Sequence, residues 1–221
     1  MFRKRSAPHG EIIHRNTARL EAFSDGVFAI AITLLVLELR VPTVDQVEGE
    51  TSLWRALIEL WPSYFGYLIS FLVIGMMWIN HHNVFKFLAG VDHWLLTINL
   101  ALLLCISFIP FPTALLAEHI THPDERTAAT LYAAVFFVTA LVFSALWRYP
   151  TRRAPWLLVP DADPKAIAAI TRRFSYGPPA YLAAAVISWF SPSVGLVTLA
   201  VISLLYLAPA LLGDPVDLSP D

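Results

Sequence analysis

Apolar positions along this chain come in long blocks, separated by short polar or charged stretches. Blocks of about 17–25 mostly apolar residues are the length that crosses a bilayer as a helix. The pattern predicts six helices, at approximately Arg19–Val41, Leu60–Asn80, Trp94–Ala117, Thr127–Trp147, Phe174–Phe190 and Val194–Gly213. The second block extends back towards Leu53, but Trp61-Pro62 favours an interfacial start there. Pro178-Pro179 falls near the beginning of the fifth, where a missing backbone N–H costs least. The first block, "RLEAFSDGVFAIAITLLVLELR", is interrupted. Its uncharged core, Gly26 to Leu37, covers roughly 18 Å as a helix, short of a hydrocarbon layer of about 30 Å. A spanning helix must therefore carry Ser24-Asp25 into or near the membrane.

Composition agrees with this pattern. Hydrophobic residues make up 57% of the 221 residues and charged ones 14%, against about 45–50% and 25% in soluble domains. The expected class is an all-α integral membrane protein. A formal net charge of −2 implies no nucleic-acid partner. Cys105 is the single cysteine, so no intramolecular disulfide forms. The first apolar run lacks a small-residue cleavage site and suits a retained span better than a signal peptide.

Charge placement sets an orientation. With six spans, Arg3, Lys4, Arg5, Arg15, Arg19, Lys86, Arg148, Arg152, Arg153, Lys165, Arg172 and Arg173 fall on one side; Arg40, Arg55 and Arg126 fall on the other. Basic loops stay cytoplasmic. The expectation is a multi-pass protein of the cell's inner (plasma) membrane with both termini cytoplasmic. Residues 1–18 form an N-terminal segment, 19–213 the six-helix domain and 214–221 a tail. The tryptophans, Trp147 among them, fall mostly at span ends and read as interfacial anchors. Trp78 is set apart by its neighbours Asn80, His81 and His82.

The first helix has two faces. With Ile30 as the origin and about 100° per residue, Leu34, Leu37, Thr33, Gly26 and Phe23 lie within roughly 60°, while Ser24 and Asp25 lie about 120–140° away. Glu38, at about 80°, borders the stripe, and with Glu59, Asp45, Glu48 and Glu50 it is either a candidate acidic vestibule or part of a solvated extracellular loop. A carboxylate near hydrocarbon needs partners. Asp25 is offered His81, His82 and Asn80 from the second span, and Asn99 and Thr97 from the third. Two roles are open: a structural network, or direct contact with an ion. The sequence lacks a Gly-rich phosphate loop, an HExxH motif and a nucleophile with a base, so no enzyme activity and no cofactor are expected. His119 and His122 in "HITH" are best read as solvated loop residues, and Ile109–Pro112 as a bend in the third helix.

Three motifs together resemble the transmembrane protein 175 family of lysosomal and endosomal potassium channels and their bacterial homologues. They are Arg19-x-x-x-Phe23-Ser24-Asp25, "WINHHNVF" (Trp78–Phe85) and "SFIPFPTALL" (Ser107–Leu116). The resemblance implies six helices per repeat and no TVGYG filter. For a single repeat it implies a homotetramer whose first helices line a central pore. It maps the constriction to Ile30, the next pore turns to Leu34 and Leu37, and a threonine layer to Thr33. It assigns Phe23, Ser24 and Asp25 of the motif that opens at Arg19, with His81 or His82, to an inter-helix network, to which the residues themselves add Asn99. The implied function is a K+-permeable cation channel with modest preference over Na+. The permeant ion is K+ and other monovalent cations, and the partners are the bilayer and three further copies of the chain. The rival is a proton-coupled secondary transporter using Asp25 and His81/His82; the two halves show no similarity that would favour it.

Overall fold

A computed structural model describes residues 17–43 and 52–212, with side chains to Tyr206. Every regular element among the described residues is helical. Helix α1, Thr17–Leu34, tightens into a 3-10 turn, Leu35–Glu38. A short α2, Leu53–Glu59, precedes α3, Trp61–Phe85, so Leu53 starts a separate helix and Trp61-Pro62 starts the span. Next come α4, His93–Phe108, α5, Pro110–His119, and α6, Glu125–Arg152. The last two are α7, Pro164–Phe190, and α8, Pro192–Leu212.

Four of the helical stretches are long and apolar enough to cross a membrane: Thr17–Glu38, Trp61–Phe85, His93–His119 and Glu125–Arg152. They correspond to the first four expected spans. The third span is α4 and α5 in series. Pro110 has no N–H to continue α4, and the Ile109 N–H bonds the Ile106 carbonyl at 3.2 Å. The Thr113 hydroxyl donates to the Ile109 carbonyl at 2.8 Å and meets the Ser70 hydroxyl at 2.7 Å, which also contacts the Tyr132 hydroxyl at 2.9 Å. This buried cluster ties α3, α5 and α6 together at the break.

The fifth block differs most from expectation. Its helix begins at Pro164, ten residues before Phe174, so Pro178-Pro179 lies at mid-helix. Pro178 cannot donate to the Phe174 carbonyl four residues back. The Ser144 hydroxyl on α6 donates to that carbonyl at 3.0 Å instead. α6 and α7 form the most extensive helix pair in the bundle. Around them lie the buried aromatics Tyr132, Phe136, Trp147, Phe174 and Tyr181. Trp147 is fully buried, not an interfacial anchor, and its indole N–H donates to Thr171 at 2.8 Å. Trp54, Trp61, Trp94, Trp156 and Trp189 are exposed, as anchors must be.

The loops at one end are stitched together. The Ala89 N–H bonds the Leu157 carbonyl at 2.8 Å, and the Val159 N–H bonds Phe87 at 3.0 Å. The Tyr149 hydroxyl donates to Asp92 at 2.5 Å, while the other Asp92 oxygen caps α4 through the Leu95 N–H. The starts of α1, α4 and α7 and the ends of α3 and α6 thus share one end of the bundle.

Candidate functional site

The two-faced reading of the first helix has a direct structural counterpart. Ser24, Phe28, Ala31 and Leu35 are buried, at the i, i+4, i+7 spacing of a packed helix face. α3 and α4 cover that face. The opposite stripe is bare: Ile30 is 60% exposed and Leu37 73%, and Phe23, Gly26, Thr33 and Leu34 are also exposed. Large aliphatic side chains are thus left without partners within the subunit, along the whole length of one helix.

The 3-10 turn alters the upper end of the stripe. At three residues per turn, Leu37 comes back over Leu34, roughly 40° from Ile30, and Glu38 turns to roughly 160°. Glu38 therefore does not border the stripe as a uniform α-helix would have it. Asp45, Glu48 and Glu50 lie outside the described residues. The Thr33 hydroxyl donates to the Ile30 carbonyl at 2.9 Å, and its oxygen keeps acceptor lone pairs.

Behind the stripe runs a chain of buried polar groups. The Ser24 hydroxyl donates to the Leu20 carbonyl at 2.9 Å. The Asn99 amide N–H donates to the Ser24 oxygen at 2.9 Å. The Asn99 amide oxygen, an acceptor only, takes the N–H of His81 Nε2 at 2.8 Å. The His81 ring sits between Phe28 and Phe85, with centroids 5.4 and 4.4 Å away. Its Nδ1 is buried with no hydrogen-bond partner among the described residues. Three helices, α1, α3 and α4, are joined by this relay, and each contributes one side chain.

Asp25 is not a member of that relay. Its carboxylate accepts the Trp78 indole N–H at 2.8 Å, and His82 pairs instead with Glu21 through Nδ1 at 2.7 Å. The cause is the 100° step between neighbours on a helix. Ser24 points into the bundle, so Asp25 and Glu21 stand on its flank, where α3 presents Trp78 and His82. The expected network of Arg19, Phe23, Ser24, Asp25, His81, His82 and Asn99 therefore divides into a buried relay and two outer α1–α3 clasps. Phe23 and Arg19 are exposed, and neither joins a hydrogen bond or ion pair among the described residues. Glu21 and Trp78 are the participants absent from the expected network, although Trp78 stood out by its neighbours. The signal of Glu21 lay in the same helix, in its spacing, four residues before Asp25 on the same flank.

Elsewhere, His119 bonds the Leu115 carbonyl through Nδ1 at 2.9 Å, and no group of three metal-ligating side chains occurs among the described residues.

Residues 19–110 match the family model described as endosomal/lysosomal potassium channel TMEM175. A potassium channel of Chamaesiphon minutus is 49% identical over 175 residues, which cover 79% of this chain and 85% of that protein. The chain belongs to the TMEM175 family. A potassium channel of Streptomyces collinus is 48% identical over 162 residues, 73% of this chain and 77% of that protein. The crystal structure of a lysosomal potassium-selective TMEM175 homolog from Chamaesiphon minutus superposes with a TM-score of 0.79 at 42% identity, over 88% of this chain and 97% of that one. The matched family segment begins at Arg19 and ends at Pro110, the break between α4 and α5. It thus contains the bare stripe, the relay and both clasps of this TMEM175 chain.

Proposed function

We propose that this chain is one subunit of a K+-permeable channel in which four first helices surround a central pore. The observation that carries the proposal is the bare aliphatic stripe of α1, backed by a buried polar relay. Six membrane helices per subunit, the four already described together with α7 and α8, complete the fold, with both termini on the basic, cytoplasmic side. The relatives named as potassium channels support the choice of ion.

Ile30 forms the narrowest ring in this arrangement, with Leu34 and Leu37 beyond it. Four isoleucines offer no oxygen to replace an ion's hydration shell, so they restrict passage by size and by dewetting. K+ sheds water more readily than Na+, so selectivity is modest and favours K+. The Thr33 oxygen supplies a partial polar layer beside the ring. A small rotation or splay of α1 opens the pore, and the relay holds the helix against it. The Asp25–Trp78 and Glu21–His82 clasps position α1 and contribute no ion ligand. Flux by a transporter would saturate at low turnover, whereas a channel gives unitary currents.

Purified protein in planar bilayers under a K+/Na+ gradient tests the reading. Unitary currents that reverse towards the K+ potential are expected, and Ile30→Asn, which wets the ring, shifts the reversal potential towards zero. An unchanged reversal potential in Ile30→Asn would remove Ile30 from the constriction.

A further inference from the structure

The end of the bundle where α6 meets α7 holds an open cleft of about 390 Å³, within the range of about 300–1,000 Å³ typical of ligand sites. Its two halves differ in chemistry. Ile98, Leu141 and Ala145 form an apolar wall, and Leu141 and Ala145 are exposed. Arg148, Arg152 and Arg153 form the rim. From Leu141 through Ala145 and Arg148 to Arg152 the residues recur every three or four positions, so one face of α6 passes from apolar to cationic.

The cations are available. None of the three arginines takes part in an ion pair among the described residues. Among the described residues the Arg148 side chain has a single hydrogen bond, to the Ser175 hydroxyl at 3.3 Å. The nearby carboxylate of Asp92 is already occupied by the Tyr149 hydroxyl and the Leu95 N–H.

Depth supports the same occupant. α6 has 28 residues, about 42 Å of helix, which matches the full thickness of a bilayer with its headgroups. A hydrocarbon layer of about 30 Å centred on it ends near Arg148 and leaves Arg152 and Arg153 at headgroup level. Trp156 and Trp94, both exposed at this end, mark the same boundary.

We infer that this cleft binds an anionic phospholipid, its phosphate held by Arg148, Arg152 and Arg153 and its acyl chain lying along Ile98 and Leu141. A guanidinium fork suits a phosphate better than an ammonium does, and clustered basic residues at a membrane face attract anionic lipid. The ligand chemistry is a phosphate monoanion tethered to a chain. A soluble phosphate shares only the first half.

The full-length protein, purified and delipidated in neutral detergent, is titrated with phosphatidylglycerol, phosphatidylcholine or soluble glycerol phosphate, and bound molecules are counted by native mass spectrometry. The wild type should retain phosphatidylglycerol at least about tenfold more strongly than phosphatidylcholine. The triple variant Arg148→Gln, Arg152→Gln, Arg153→Gln should lose that preference, while Arg172→Gln, outside the cleft, should keep it. Should the triple variant fail to fold, the wild type alone decides, because raised salt should weaken its preference. Equal retention of the two lipids overturns the inference. So does glycerol phosphate binding as tightly as phosphatidylglycerol, or a folded triple variant that keeps the preference. Channel currents are a separate readout, so a failure here leaves the channel reading intact.

Discussion

Asn99 is the residue on which the α1 clamp turns. It accepts from His81 and donates to Ser24, so its removal leaves the buried His81 ring without a hydrogen-bond partner, while Ser24 keeps its bond to the Leu20 carbonyl. An unsatisfied buried group costs about 1–3 kcal/mol. Asn99→Leu, with the same branching but unable to hydrogen-bond, should therefore lower the thermal midpoint of the purified protein clearly. Ser24→Ala, which removes one link, should lower it less. Equal midpoints for Asn99→Leu and the wild type would mean that the relay does not hold α1. This part of the site was half legible in the sequence. Polar residues in apolar blocks at matching depth are visible as such, so His81, Asn99 and Ser24 could be named as a group. Which neighbour of each pair faces inward was not visible, because Ser24 and Asp25, or His81 and His82, differ only by one helical step. The direction of a helix face is set by packing against other helices, and Phe28 fixes it by burying itself next to His81.

At the scale of elements, prolines and glycines mark the joints. The break at Ile109–Pro110 was expected from the sequence, and the Ser70–Thr113–Tyr132 cluster that satisfies it was not, since its members are 43 and 62 positions apart. The early start of α7 was hidden for a different reason. Lys165, Arg172 and Arg173 end an apolar block but do not end a helix, and Asp163 caps the helix by accepting the Lys165 N–H at 2.9 Å. The corner between α7 and α8 is the tightest joint. A Cβ on Gly195 would lie 2.5 Å from the Ser188 Cα and 2.6 Å from its backbone nitrogen. No rotamer relieves a clash with backbone. Gly195→Ala should destabilise by about 3 kcal/mol, the upper end of ordinary overpacking, whereas Gly26→Ala, with open space around it, should be close to neutral. Thermal denaturation in detergent compares them directly, and similar midpoints would show that the corner adapts.

For the whole molecule, the proposed channel makes the single chain one part of an assembly that meets along α1. The stripe from Phe23 to Leu37 is exposed while the other face of the same helix is sealed, and in the proposed channel the ion path stands opposite that stripe. In the proposed channel Asp25 helps to fix that arrangement. Asp25→Ala removes the acceptor of the Trp78 N–H, so it should reduce the yield of intact oligomer on size-exclusion chromatography while leaving the K+/Na+ preference of surviving channels unchanged. Normal oligomer yield with altered ion preference would reassign Asp25 to the ion path. The proposed ion path runs along the Ile30–Leu34–Leu37 stripe. Cysteine accessibility under voltage clamp tests it most directly, in a Cys105→Ser background and with a cationic thiol reagent. Ile30→Cys and Leu34→Cys channels should be blocked progressively by the reagent, and Ala31→Cys and Leu35→Cys channels should not. Block at Ala31 and Leu35 with none at Ile30 and Leu34 would contradict it.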